Sequence, residues 1–507
     1  VGGGIAGWLG AIALSRRLAG QCSIHVVDTP EAGTAGLAES TIPPMLELLR
    51  FLGIDQNDFI DKTQSTYSLG ARLIDWSAPG ASYWRPFGAL GALIERRPFY
   101  HFWHKAKALG LQPRLEYFSH EIAMAQANRF IFPTNSLGVA QQLRYSLNID
   151  TALASRYLRS QAERAGVIRL ERKLVGTTRR ENGFIDELQF EDGGKLGADL
   201  YIDNTGPRGQ LIGETLGVGF ESWQHWLPCD RILSAPVALE ETRPPYVRIA
   251  ARAAGWQWRT SLQQALSVGH VYSSAHQDDE SALADLRAAA GGELRIEPRR
   301  VEFTAGRRHS FWDKNVVALG AASACLEPLV AADVHLATNA LFNLLDHFPD
   351  RQFDPANTAS YNASLGGDLE RIRDYILLHY CLSTRADTPF WQQFASMSLP
   401  ETLARRVEHY RATGRIVTGR DDLFTDLDLF WVFEGMGIMP RDYDPLVDSV
   451  DFEQVKRVML AIHQKVTADA NAAPSHDSFF AAANARLGNA RKAAAAAPAA
   501  AAASPAS

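Results

Sequence analysis

Cysteine is scarce: the 507 residues hold only Cys22, Cys229, Cys325 and Cys381, far apart and with no CxxC pair. That spacing argues against a zinc site and fits reduced thiols, so a cytoplasmic location is expected. Outside the alanine-rich end there is no run of roughly 18 apolar residues, and no membrane span is expected. Neither charge sign dominates. Lys and Arg number 51 against 57 Asp and Glu, a net −6 that offers no broad basic surface for nucleic acid or anionic lipid. HExxH, GxSxG and P-loop patterns do not occur. The chain begins at Val1 without a charged leader, so no signal peptide is expected. What is present is ordinary globular material, 46% hydrophobic and 21% charged, enough for two packed domains.

The first twenty residues read VGGGIAGWLGAIALSRRLAG. Gly2, Gly4 and Gly7 form G-x-G-x-x-G, an Ala- and Leu-rich stretch follows at 8–18, and SIHVVD ends in Asp28. This order predicts the turn, helix and second strand of a dinucleotide-binding βαβ unit. Gly2 serves the tight turn, Gly4 the approach of a pyrophosphate and Gly7 close helix packing, while Asp28 is placed for a ribose hydroxyl. Only Val1 represents the strand that should precede Gly2, so the natural chain is expected to start several residues earlier.

Further along, TYSLGARLIDW at 66–76 alternates like one strand, 94–108 reads as helix, and 152–166 as an amphipathic helix. Turns at Glu181-Asn182-Gly183 and Asp192-Gly193-Gly194 predict a β-meander that ends in the buried strand LYID. Strands are expected near 246–250, 255–261 and 268–274, and helices dominate after about 366. His270, His335 and His379 read as core histidines. Arg299, Arg300, Arg307 and Arg308 read as a solvated edge. Residues 486–507, almost wholly Ala, Pro and Ser towards their end, are expected to be a disordered tail.

Seven motifs then agree. GGGIAGW at 2–8, AESTIP at 38–43, IDNTGPRGQLI at 202–212, GWQW at 255–258, HVYSS at 270–274, LGAASACLEPL at 319–329 and LLHYCLSTRADTPFW at 377–391 occur in that order. Together the chain resembles a divergent member of the flavin-dependent tryptophan halogenase family. The resemblance implies an α/β fold: a Rossmann-type FAD-binding domain of the flavin monooxygenase kind joined to a mostly helical substrate domain. The first would span 1–345, with substrate-facing insertions at about 76–150 and 220–300, and the second 346–485. FAD would be held by Gly2, Gly4, Gly7 and Asp28, by Glu39 and Thr41 of the AESTIP strap, and by Asp203, Gly320 and Leu329. No second dinucleotide motif appears, and the resemblance implies reduced FAD supplied by a separate flavin reductase, an aromatic substrate and a possible homodimer.

The halogenating positions of the family can be followed onto this chain. Its lysine, which polarises the oxidant, falls on Ser68. Arg72, taken to share one strand with Ser68, would lie too far along it to substitute, and Lys62 reads as a surface residue. The family's catalytic glutamate falls on Val330. Its halide-holding amides fall on Ala332 and Asp333, where loss of a glycine threatens the backbone angle and an acid would repel an anion. Its tryptophan wall is retained as Trp256 and Trp258, which face one side of a strand. The expectation is therefore an FAD-dependent monooxygenase-class oxidoreductase with the halogenation Lys and Glu lost. Halogenation of indole or tryptophan-like aromatics by a changed mechanism, and a non-catalytic flavin-binding module, are the alternatives.

Overall fold

The computed structural model describes residues 1–29, 37–111, 113–133, 143–420, 422–481 and 485; the expected tail lies outside them. Its nucleotide half is a parallel α/β layer. The strand His25–Asp28 pairs in parallel with Ile168–Glu171, and Tyr201–Asp203 pairs in parallel with Val316–Ala318. Val1 and Gly2 join the two pairs: Gly2 N donates to Val27 O at 2.8 Å, and the Val1 amino group to Ile202 O at 2.7 Å. The helix Ile5–Arg17 buries Trp8, Leu9, Ile12 and Leu14, the apolar face that the sequence promised. Asp150 caps the helix Thr151–Arg164 by accepting from Ala152 N and Leu153 N. The meander forms as expected from Leu174–Arg179, Ile185–Phe190 and Lys195–Gly197.

The largest sheet among the described residues has seven strands. Its order is Arg299–Glu302, Arg231–Val237, Leu266–Tyr272, Gly255–Ser261, Val247–Arg252, Gly70–Ile74 and Ser82–Pro86. Neighbours are antiparallel except for the parallel pair Val247–Arg252 and Gly70–Ile74. The stretch read as one strand over 66–76 is two. Thr66–Ser68 belongs to a small sheet with Ser146–Asp150 and Ala38–Ser40, whereas Gly70–Ile74 enters the large sheet. The switch occurs at Leu69, whose N–H donates to Pro245 O at 2.7 Å. Ser68 and Arg72 therefore share no strand face, contrary to the expectation. The helix expected from 94 begins at Phe99, after Pro98.

The C-terminal helices do not stand apart. The 27-residue helix Pro355–Cys381 places Ile376, Leu377 and Tyr380 in one core with Leu73 and Trp256 of the large sheet and with Trp76 just beyond its strand Gly70–Ile74. The helix Asp426–Gly435 packs on the strand Ser82–Pro86, where Gly435 lies so close to Tyr83 that a Cβ would overlap its ring. No described helix is long and apolar enough to cross a membrane.

Candidate active site

The nucleotide turn has the shape its glycines foretold. Gly2 adopts φ +106°, and a side chain there would land on the Asn204 carbonyl oxygen. A Cβ on Gly7 would strike the Gly2 carbonyl oxygen. Gly4 caps the helix Ile5–Arg17 with no side-chain bond, and no acid occupies the first turn. The free N–H groups and the positive helix end thus remain for an anionic ligand. Asp28 ends its strand beside this turn. Its Oδ1 accepts from Arg169 Nε at 2.9 Å, and Oδ2 lies against Gly3. Gly320, at φ +59°, lies against the Asn204 side chain, so the return segment approaches the same turn. This backbone cradle fits a pyrophosphate-containing dinucleotide such as FAD.

Two residues expected at the cofactor are engaged within the protein. The buried Asp203 carboxylate accepts from Thr205 N and Oγ1 through Oδ1, and from Leu211 N and Ile212 N through Oδ2. All four bonds order the turn at 203–215, which leaves the acid shaping the cradle from beneath. Thr41 is also buried, its hydroxyl within 2.7 Å of Ser146 Oγ and 2.8 Å of Leu147 O, which pins the strap to its neighbour.

From the strap a cavity of about 730 Å³ runs between the two sheets and under the C-terminal helices. Glu39, Ser68, Trp256, Trp258, Leu329, Val330 and Asp333 all line it, so the four expected catalytic positions converge with three of the other expected site residues. Gly269 makes room for the Trp258 ring, since a Cβ there would overlap the indole. Trp256 Nε1 donates to Glu327 Oε2 at 2.8 Å, and Tyr380 OH donates to the same oxygen at 2.5 Å. Burial lifts the Glu327 carboxyl to about 7, and these two donors only partly offset it.

The two positions expected to match the family's lysine and glutamate carry no charge. Ser68 is 1% exposed, and its hydroxyl donates to Gly70 O at 3.3 Å. Val330 closes the short 3₁₀ turn Pro328–Val330 with its side chain buried. Ala331, not Asp333, takes the left-handed conformation, at φ 56°. Asp333 opens the helix Asp333–Asp346 with ordinary helical backbone behind Ala332, so the missing glycine costs no strain there. Its carboxyl is accessible from the cavity while protein surrounds it, and it interacts with Glu39 across that space. Burial first, and repulsion from Asp333 second, raise Glu39 to about 8; burial raises Asp333 to about 6.

At neutral pH Glu39 holds a proton in the folded state that it releases on unfolding, whereas Asp333 holds one only below about pH 6 and is ionised above it. Their contribution is fully present below the ordinary carboxylate range and is lost as pH rises through about 6 for Asp333 and about 8 for Glu39. The apo protein should therefore melt lower at about pH 9 than at about pH 6, and Glu39→Gln should narrow that gap by roughly 1–3 °C in a thermal melt. An unchanged gap would mean that the pair is fully hydrated.

Sequence reasoning missed Arg85. It is 8% exposed, lines the same cavity as Ser68, and lies on an edge strand of the large sheet. Asp426, Asp428, Tyr375 and Phe424 complete the far wall. No motif marks these residues. SYWRP gives no signal either: Tyr83 and Trp84 are adjacent and the strand is buried on both faces from Tyr83 on, so no alternation marks the arginine as inward. Arg299 and Arg300 are exposed on the edge strand of the large sheet, as expected, although Arg299 also lines the cavity, whereas Arg308 is buried, donates to four backbone carbonyls and so leaves the solvated edge. Arg72 donates to Ser82 Oγ and Lys62 pairs with Asp61 at the surface, both away from the cavity. His270 and His335 are largely enclosed, but His270 Nε2 and His335 Nδ1 lack a partner among the described residues.

Comparison with known proteins agrees with this geometry. Residues 1–452 match the family described as Tryptophan halogenase. A tryptophan 6-halogenase, SttH, of Streptomyces toxytricini is 26% identical over 96% of this chain and 98% of its own. Among solved structures, BrvH, a flavin-dependent halogenase from Brevundimonas sp. BAL3, superposes with a TM-score of 0.90 at 34% identity, covering 95% of this chain and 98% of that one. Xcc4156, a flavin-dependent halogenase from Xanthomonas campestris, gives 0.91 at 36% identity, covering 94% and 96%. The chain is an oxidoreductase-type flavoenzyme and belongs to the flavin-dependent tryptophan halogenase family.

Proposed function

We propose that this enzyme receives reduced FAD from a separate flavin reductase and uses it with oxygen to oxygenate an aromatic substrate, releasing peroxide when uncoupled, in place of efficient halogenation. Reduced FAD supplies two electrons and two protons, so that one atom of O2 enters the substrate and the other leaves as water. The amides after Gly4, the approach allowed by Gly2 and Gly7, and Asp28 would hold the dinucleotide, with Glu39 at the strap.

The observation that carries the reading is the pairing of two neutral positions with two acids. Ser68 can donate one hydrogen bond but brings no cation to polarise an oxidised halide, and Val330 offers no carboxylate to an attacked ring. Glu39 and Asp333 face the space an anion would need. Asp333 also sits in the first helical turn, where its carboxyl already meets the positive helix end. Trp256 and Trp258 wall the space.

Turnover with a flavin reductase, ¹⁸O2 and a panel of indoles and phenols, with and without bromide, tests this. Labelled oxygen in the product, or labelled peroxide, at a rate independent of bromide is expected. Rapid bromination without oxygen incorporation, or tight FAD binding without oxygen consumption, would overturn it.

A further inference from the structure

The buried guanidinium of Arg85 is the cavity feature that the proposed function leaves unused. Arg85 lies on the strand Ser82–Pro86, pairs with Ala71 in register, and reaches under the helix Pro355–Cys381. Among the described residues no carboxylate comes within ion-pair distance of it. A buried cation without a counter-ion is costly unless something else compensates it.

Its partners are neutral acceptors that orient it. Arg85 Nη2 donates to Leu329 O at 2.7 Å, and Nη1 lies 3.1 Å from His379 Nε2. His379 Nδ1 is 2.8 Å from Tyr375 O, so Nδ1 carries the ring proton and Nε2 offers its lone pair to the arginine. Burial, and then Arg85 itself, hold the imidazole well below its usual range, which keeps it neutral.

The remaining charged and titratable neighbours are Tyr83 on the same strand, Tyr375 on the long helix and Asp428 on the helix Asp426–Gly435. Asp428 is the acid facing Arg85, and it is committed elsewhere. Its Oδ2 accepts from Thr425 N at 2.7 Å and from Thr425 Oγ1 at 2.8 Å, closing a capping box. A guanidinium has five N–H donors; Leu329 O, His379 Nε2 and the Tyr375 hydroxyl engage three of them, and the others are left for whatever fills the cavity. Around it stand Pro86, Phe87, Tyr375 and Phe424, the last two stacked with ring centroids 3.8 Å apart. Flat apolar walls beside a forked donor suit a planar ring bearing an oxyanion.

We propose that Arg85 anchors the substrate by an aromatic oxyanion, a phenolate or an arenecarboxylate, so that the guest is an acidic, electron-rich aromatic. The inference rests on the cavity being the substrate site of the proposed oxygenation. For a phenol, the O–H bond breaks, the proton passes to solvent water, and the electron pair stays on the oxygen facing the guanidinium. The phenolate ring is a stronger nucleophile than the phenol. Activation thus moves from the oxidant, which Ser68 cannot polarise, to the substrate.

Equilibrium binding of 4-nitrophenol, 4-nitrobenzoate and 4-nitroanisole to the full chain, with and without oxidised FAD, tests this without turnover. The phenol should bind as its yellow phenolate with an apparent pKa lowered by about one unit or more, and the uncharged methyl ether at least about 10-fold more weakly. Tighter binding of the benzoate would name carboxylate as the oxyanion. Arg85→Gln should weaken both acids by about 10–100-fold and abolish the pKa shift, while Arg85→Lys restores part of each. FAD fluorescence and a thermal melt report folding of the variants. Equal binding of phenol and ether by the unsubstituted protein, or an Arg85→Gln protein that binds the acids as before, would overturn the proposal. Because these are binding measurements, oxyanion selectivity without labelled oxygen in any product would sink the proposed function alone.

Discussion

Ser68→Lys combined with Val330→Glu should raise bromination of an indole by about 10²-fold or more over the unsubstituted chain, the scale of a well-placed proton donor. Both positions line the same cavity and both side chains are buried, so the new groups would enter the space where oxidant and guest meet. Each single substitution should do little. Lysine alone adds a further cation to a cavity already lined by Arg85, Arg144 and Arg299, and glutamate alone a further acid beside Glu39, Asp333, Asp426 and Asp428. Together they offset one another, and the residue before Val330 already binds Arg85 through its carbonyl. Adding Asp333→Gly should help further. An ionised carboxylate about 4 Å from a halide costs on the order of 4 kcal/mol at an effective dielectric near 20, close to a thousandfold in occupancy. Mass spectrometry of the products measures the gain. If the unsubstituted chain brominates as fast as the triple variant, Ser68 and Val330 are not the limiting losses.

Gly7→Ala should lower FAD affinity by about 100-fold, with little secondary-structure change away from the first turn. The new methyl would meet the Gly2 carbonyl oxygen and press on the Asn204 side chain. Gly2 cannot yield, because its N–H is bonded to Val27 O and its own φ is +106°. The helix Ile5–Arg17 would have to tilt away, carrying its free N–H groups from the pyrophosphate. Titration of flavin fluorescence reads the loss, and circular dichroism shows whether the fold survives. Retained affinity would place the dinucleotide elsewhere than at this turn.

The nucleotide turn was legible because glycine spacing, helix and acid are local signals, and each of Gly2, Gly4, Gly7 and Asp28 sits where that pattern puts it. The Trp256 and Trp258 pair was legible for the same reason: period two on a strand sets one face. Arg85 was not legible. Its inward course depends on pairing with the strand Gly70–Ile74 and on a helix nearly three hundred residues later in the chain, and local sequence carries neither. The break at Leu69 was hidden because both halves of 66–76 alternate alike while serving different sheets. Asp203 could be placed beside the cradle, but its four backbone and side-chain donors come from a turn whose shape no spacing discloses. For Asp333 the acid was visible and its surroundings were not, since Glu39 reaches it from a strap almost three hundred residues earlier.

Soaking crystals of the FAD complex in bromide at neutral pH, and recording anomalous scattering, tests the central claim most directly. With Glu39 and Asp333 lining one cavity, no ordered ion should appear at the amides of Ala332 and Asp333. A well-ordered bromide on those amides, beside the flavin ring, would contradict the account.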